Sequence, residues 1–323
     1  MKLQDIAKQI QLAKHIVLMG HKGGDADCYG SMFGLKLGLE TLGKKVDIIS
    51  TEDFPDSLSF LFFYFTGILK TEFDPEADLF ILLDGSDVGR MASPTIIDSY
   101  RKAGIPIAHL DHHTRGDLAT YANYSFADEK ACSTSEIVYD LLTQMGATLD
   151  KNCATCLLTG IVGDTSSFQN QNTTESCFAV ASELMKRGAR QRVITNHLFG
   201  GKEVDSLKVW GLAMERLHLD KASGVVTTYL SHTDIDEFGL SLDVLSGIVN
   251  FLNSIKGAKV VMLIAEEEVG TIKVSLRTRD EHINVASLAR QFGGGGHVKA
   301  AGFSFPGSLN QLTEGTNSHI VIT

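Results

Sequence analysis

The sequence predicts an α/β protein: a doubly wound, mostly parallel sheet domain followed by a smaller α+β domain. Three observations predict it. Short apolar runs alternate with helix-period segments through the first half, the pattern of strands joined by crossover helices. After about residue 190 the texture changes to a polar, mostly helical stretch and then to successive strand-like runs. The length, 323 residues, exceeds the roughly 100–200 of a typical single domain. We place the first domain at 1–190, a helical linker at 191–205 and the second domain at 206–323.

Each element has a local reason. In 2–14, Leu3, Ile6, Ile10 and Leu12 recur at near-helical spacing. HIVLMG (15–20) is a short apolar run closed by glycine, and so a buried strand. A polar Gly/Asp loop leads to GSMFGLKLGLETLG (30–43), a helix stopped at Gly43. KVDIIS (45–50) and ADLFILLD (77–84) read as strands. IDSYRKAG (97–104) is a short helix, and IPIAHLDHH (105–113) a strand with a polar end. TSEIVYDLLTQMG (134–146) is a helix, while CATCLLTGIVGD (153–164) suits a helix or a buried strand. Beyond the linker, GVVTTYLS (224–231) and AKVVMLIAEEE (258–268) look like strands, and TIKVSLRTR (271–279) alternates at period two. VASLARQFGGGGH (285–297) is a helix broken by glycines. The aromatic run at Phe60, Phe62, Phe63, Tyr64 and Phe65 reads as core.

Charge and cysteine usage bound the chemistry. Asp plus Glu number 39 against 29 Lys plus Arg, for a net charge of −10. That excludes a protein that coats long duplex nucleic acid by neutralising phosphates, yet leaves room for a short anionic substrate in a locally positive pocket. Five cysteines are too few and odd in number for a disulfide framework. Cys153 and Cys156 form a lone CxxC inside an apolar run and read as packed thiols. No signal-peptide core opens the chain, and the most hydrophobic stretch, Leu58 to Leu69, is too short for a membrane helix. The expected location is cytoplasmic, with no membrane partner.

Four polar clusters follow the apolar runs: GHKGGDADCYGS with His21, Asp25 and Asp27; LLDGSD with Asp84 and Asp87; HLDHHTRGD with Asp111, His112 and His113; and IVGDTSSF with Asp164. In an open α/β sheet, such clusters at strand ends converge on one crevice. Any one of them has an ordinary reading, because an Asp after a strand commonly caps a helix or shapes a turn. Together, His and Asp without clustered Cys suit borderline-hard divalent ions such as Mn²⁺. Six candidate ligands among them are too many for one ion and suit two with a shared carboxylate, a recurrent device for phosphoester cleavage.

These residues carry a resemblance. His21-x-x-x-Asp25-x-Asp27-x-x-Gly30-Ser31 resembles the first motif of the DHH phosphoesterase superfamily. LLDGSD resembles its second, Asp111-His112-His113 its third and GDTSSF its fourth. SLRT with FGGGGHVKAAG resembles the DHH-associated C-terminal domain, so the likeness runs from about residue 15 to 305. It is strongest to the short two-domain branch, of bacterial and archaeal oligoribonuclease and 3′-phosphoadenosine 5′-phosphate (pAp) phosphatase type. Cys28 and Tyr29 stand where small or aliphatic residues are frequent.

The resemblance implies roles. His21 and Asp25 would bind a first ion, Asp27, His112 and Asp164 a second, and Asp84 would bridge them. Asp111 would orient a histidine, and His113 would face the substrate phosphate, making these two the catalytic pair beside the metals. Arg277 and His297 would grip a substrate phosphate, with Gly294, Gly295 and Gly296 allowing close backbone approach. The cofactors would be two divalent ions, Mn²⁺ first, with Mg²⁺ or Co²⁺ open. The substrate would be a short oligonucleotide or nucleotide phosphate, cleaved in the cleft between the domains. A cyclic- or linear-dinucleotide phosphodiesterase and a pyrophosphatase or polyphosphatase are the alternatives, and a homodimer stays open.

Overall fold

A computed structural model describes the chain except residues 53, 65–68, 201–202, 241–244, 246, 269, 313–318 and 323, and the side chains of 267–268, 297, 310–312 and 319–322. It divides into two units, Met1–Gly200 and Gly201–Thr323.

In the first unit the strands are β1 (His15–Met19), β2 (Lys45–Ile49), β3 (Leu69–Lys70), β4 (Leu79–Leu83), β5 (Ile107–Asp111) and β6 (Tyr124–Ala127). They pair in the order β3-β2-β1-β4-β5-β6, every pair parallel. The helices are α1 (Leu3–Leu12), α2 (Ala26–Glu40), α3 (Pro94–Lys102), α4 (Leu118–Tyr121), α5 (Thr134–Gln144), α6 (Lys151–Asp164), α7 (Glu175–Lys186) and α8 (Gln191–Leu198). All five residues of β1 and of β4 are buried because both faces of the sheet are covered. Ile16, Leu18, Ile81 and Leu83 pack with α1, α2, α5 and α6, whereas Val17, Met19, Phe80 and Leu82 pack with Ile97 and Tyr100 of α3. The strand order reverses at the β1–β4 seam, the position where a doubly wound sheet opens a crevice at its carboxyl edge.

Three glycines at a four-residue spacing set the approach of α2. A Cβ at Gly30 would sit 2.7 Å from the Cys156 carbonyl oxygen, and one at Gly34 or Gly38 would collide with Leu157 of α6 or Leu142 of α5. The close approach carries the start of α2 to the end of α6. The N-cap, Asp25, accepts from the amides of Asp27 and Cys28, so α2 begins at Ala26 rather than at the expected residue 30. Residues 151–164 are helix, not strand, capped by Asp150. Cys153 and Cys156 are buried thiols there, and the Cys153 thiol donates to the Gly34 carbonyl at 3.3 Å.

The span 191–205 is divided in the structure. α8 places Ile194 in the core of the first unit, and α9 (Val204–Glu215) buries Val209, Trp210 and Ala213 in the second. The aromatic run is divided too: Phe60 is buried, Phe63 is 86% exposed, and Phe65 lies outside the described residues.

The second unit contains β7 (His218–Asp220), β8 (Val225–Leu230), β9 (Val260–Glu268), β10 (Thr271–Arg277), β11 (Gly295–His297) and β12 (Ala300–Pro306), ordered β11-β12-β10-β9-β8-β7. Only the β8–β9 pairing in this sheet is parallel. β13 (Leu309–Leu312) and β14 (His319–Ile322) form a separate pair. α10 (His232–Asp236), α11 (Ile248–Leu252) and α12 (Val285–Gln291) complete the described helices. α9, α10 and α11 join the apolar cluster on one face, and α12 joins the cluster built on Ile272, Val274 and Leu276.

Candidate metal centre

Every predicted ligand of the first unit lies on a loop or helix end at the carboxyl edge of the sheet. His21 follows β1, Asp25 and Asp27 open α2, Asp84 follows β4, His112 and His113 follow β5, and Asp164 closes α6. His21 Nε2 stands 3.5 Å from Asp84 Oδ2 and 3.9 Å from Asp25 Oδ1. His112 Nε2 stands 3.6 Å from Asp164 Oδ2, 3.7 Å from Asp84 Oδ1 and 3.9 Å from Asp27 Oδ2. These spacings are too long for hydrogen bonds and suit donors arranged around a shared cation.

Asp84 is central. It is 2% exposed, and its two oxygens face different histidines, Oδ2 toward His21 and Oδ1 toward His112 and His113. Its φ is +59°, a left-handed conformation that Asp tolerates better than most residues. Thr134 Oγ1 donates to Asp84 Oδ1 at 3.0 Å. Burial opposes ionisation of Asp84, but the close imidazole of His21 and the charges of His113 and His112 outweigh it and hold the carboxyl well below its ordinary range.

Two neighbouring carboxylates, Asp27 and Asp164, behave in the opposite way. Burial, and then the charge of Asp84, push Asp27 well above the ordinary range. Burial, then Asp25 and Asp84, do the same to Asp164. Carboxylates this crowded repel one another until a cation intervenes. Asp27 is nevertheless anchored, because the amides of Thr134 and Ser135 at the start of α5 donate to it at 2.6 and 2.9 Å. Gly160 makes room for this contact, since a Cβ there would meet Ser135 Oγ and Asp27 Oδ1.

Asp111 holds the histidines rather than joining the ligand spacings. Its Oδ1 accepts from the His112 amide at 2.9 Å and from His113 Nδ1 at 2.7 Å. Burial disfavours a charged His113, yet Asp111, and then Asp84, outweigh it and push the imidazole up to about 9.

Sequence reasoning missed several supports. Thr134 was visible as the start of a helix, but nothing local tied it to Asp27 and Asp84. Asn172 Nδ2 donates to Asp164 Oδ2 at 3.2 Å and to the Cys132 carbonyl at 2.8 Å. His109 Nε2 lies 2.8 Å from the Gly85 carbonyl, beside the left-handed turn. At the opposite, amino edge of β1 and β2, His15, Asp47 and Asp74 form another His/Asp group. There the Lys70 ammonium already pairs with both carboxylates.

The predicted substrate residues lie on the second unit. Arg277 on β10 and His297 on β11 both pair in register with Ala300 of β12. Arg277 Nε donates to Asn250 Oδ1 at 2.7 Å, and a terminal nitrogen donates to the Leu276 carbonyl at 2.9 Å. Burial alone pulls the guanidinium down to about 10, and among the described residues no carboxylate pairs with it. The His297 side chain lies outside the described residues. Gly295 and Gly296 sit in β11, and Gly296 has φ +134°. A Cβ at Gly294 would collide with the Gly302 carbonyl, so these glycines let β11 lie against β12.

Fold and site together define a two-unit protein whose parallel sheet carries a partly buried His/Asp centre suited to divalent cations. The chain belongs to the DHH family. The DHH family N-terminal domain matches residues 15–161 and the DHHA1 domain residues 222–318. It is 29% identical over 303 residues to the bifunctional oligoribonuclease and PAP phosphatase NrnA of Bacillus subtilis (strain 168), covering 93% of this chain and 92% of that protein. It is 30% identical over 302 residues to the probable NrnA of Streptococcus mutans, covering 92% and 91%. Among solved structures, an exopolyphosphatase-related protein from Bacteroides fragilis superposes with a TM-score of 0.85 at 25% identity, covering 94% of this chain and 90% of that one. Among the described residues no helix is long and apolar enough to cross a membrane.

Proposed function

We propose that the protein is a metal-dependent phosphoesterase that hydrolyses short oligoribonucleotides and pAp, using two divalent ions, Mn²⁺ foremost. The observation that carries this reading is Asp84. One of its oxygens faces His21 and the other faces His112, which suits a carboxylate shared between two cations. His21, Asp25 and Asp84 would hold one ion, and Asp27, Asp84, His112 and Asp164 the other. The chemistry such ions would supply is a more acidic water and compensation of charge on the phosphoryl oxygens.

The chain's own residues do the rest. Asp111 holds His113 through Nδ1 and favours its cation, whose charge would stabilise a phosphoryl oxygen as negative charge grows. Thr134 and the first amides of α5 hold Asp84 and Asp27 in place. Arg277, a half-buried cation without a carboxylate partner among the described residues, would supply a second phosphate contact, as would His297 and the glycines 294–296. The relatives named as oligoribonuclease and PAP phosphatase support the nucleotide substrate. The name of the Bacteroides fragilis neighbour favours a second reading, a polyphosphatase.

A panel of pAp, a diribonucleotide, a cyclic dinucleotide, pyrophosphate and polyphosphate, each with Mn²⁺, tests both readings. The expected result is turnover of pAp and the diribonucleotide that disappears with chelator and returns with Mn²⁺. Full turnover after exhaustive chelation overturns the metal reading, and preference for polyphosphate overturns the nucleotide reading.

A further inference from the structure

Cys28 is a donor that this ligand set leaves unused. Its Sγ, a nitrogen of His21 and a carboxylate oxygen of Asp84 all lie within 4.8 Å of one another, and the residue is fully buried. The three come from different segments: the loop after β1, the first turn of α2 and the left-handed residue after β4. Two glycines are shaped around the sulfur. A Cβ at Gly20 would collide with Sγ, and one at Gly24 would stand 3.2 Å from it. The other cysteines lie in no such cluster among the described residues.

We propose that Cys28 is a protein donor to the ion held by His21, Asp25 and Asp84, and that its sulfur biases this position toward thiophilic divalent ions. The inference rests on the metal-centre reading above. Thiolate favours Co²⁺, Zn²⁺ or Cd²⁺, whereas carboxylate and imidazole alone suit Mn²⁺ and Mg²⁺. As the metal–sulfur bond forms, the S–H bond breaks and its proton leaves to solvent, with no change of oxidation state. The other position, with Asp27, His112 and Asp164, offers only nitrogen and oxygen. The two positions therefore differ in softness, and a mixture of ions would sort between them.

Titration of Co²⁺ into the metal-free, reduced full-length chain tests this by absorption. Wild type is expected to show visible d–d bands together with a near-ultraviolet sulfur-to-cobalt charge-transfer band. Cys28→Ser should keep the visible bands, lose the charge-transfer band and weaken Cd²⁺ binding on the order of ten- to a hundredfold, with little change for Mn²⁺. Visible bands without charge transfer in wild type overturn the proposal and leave the metal centre standing. A charge-transfer band that persists in Cys28→Ser also overturns it. Failure of wild type to bind Co²⁺ overturns the metal centre itself, and the proposal with it. If Cys28→Ser does not fold, the cadmium-113 resonance of the wild-type chain decides the matter: sulfur ligation moves it far downfield, and a position typical of oxygen and nitrogen ligands overturns the proposal.

Discussion

At the scale of the residue, Asp84 combines two demands. It must present two oxygens in different directions, and it must do so from φ +59°. A left-handed conformation costs an ordinary side chain about 1–2 kcal/mol, while Asn shares the tolerance of Asp. Asp84→Asn should therefore fold at least as well as Asp84→Ala, by a margin of about 1 kcal/mol, and yet lose metal-dependent turnover by at least about a hundredfold. Thermal melts and turnover measured on both variants check this. Equal turnover in Asp84→Asn and wild type would move the bridge to another residue.

At the scale of the element, the approach of α2 to α6 assembles half of the site. Gly30→Ala places a methyl against backbone, the Cys156 carbonyl and the Gly160 amide, where nothing flexible can yield. A loss of about 1–3 kcal/mol in stability is expected from denaturant melts. Gly160→Ala pushes instead on Ser135 and Asp27, so Mn²⁺ affinity measured by calorimetry should fall along with stability. An unchanged affinity would show that Asp27 does not reach the ion.

The amino edge of the sheet makes a separate, pH-dependent contribution. Burial opposes ionisation of Asp47 and Asp74, but Lys70 outweighs it and holds both below the ordinary carboxylate range. A carboxyl depressed in the folded state stabilises above its unfolded pKa of about 4 and loses that contribution as pH falls through the lower folded value. The melting temperature should therefore drop as pH falls below about 4, and Lys70→Met should flatten part of that slope. An identical slope in the variant would assign the acid sensitivity elsewhere.

The elements also show what a sequence can display. β1 and β4 were legible because a strand buried on both faces is a continuous apolar run. The candidate ligands were legible as a cluster because their motifs keep a fixed local spacing. β3 was not: two residues, Leu69 and Lys70, become a strand only by pairing with Ile48 and Ile49. Nor was β11, whose glycines carry no β-propensity and form a strand because β12 lies beside them. Thr134 meets Asp27 across 107 positions of chain, a contact that only the packing of α5 and α6 on α2 creates.

At the scale of the whole molecule, the proposed roles fall on two separate units. The metal-ligand candidates all fall before residue 165, and Arg277 lies far beyond them in the second unit. If Arg277 binds substrate, losing its charge-assisted contact should lower kcat/KM for a diribonucleotide by about 2–4 kcal/mol of transition-state stabilisation, or roughly thirty- to a thousandfold. Bis-p-nitrophenyl phosphate has no second phosphate to hold, so Arg277→Ala should lose far less on that ester, while Asp27→Ala loses both activities together. Equal loss on both substrates in Arg277→Ala would make the residue part of the reaction centre or of the fold.

The crowding of Asp27, Asp84 and Asp164 in one buried space has a consequence for the lifetime of the chain. Their mutual repulsion works against the folded state until cations enter, and any ion that binds only the folded state stabilises it by mass action, about 2.7 kcal/mol at a hundredfold excess over its Kd. That energy falls on the first turn of α2, the start of α5 and the end of α6, the same segments that close the core around the sheet. A chain starved of metal would open there first and meet proteases sooner, so the ions that enable turnover would also decide how long each molecule survives to perform it.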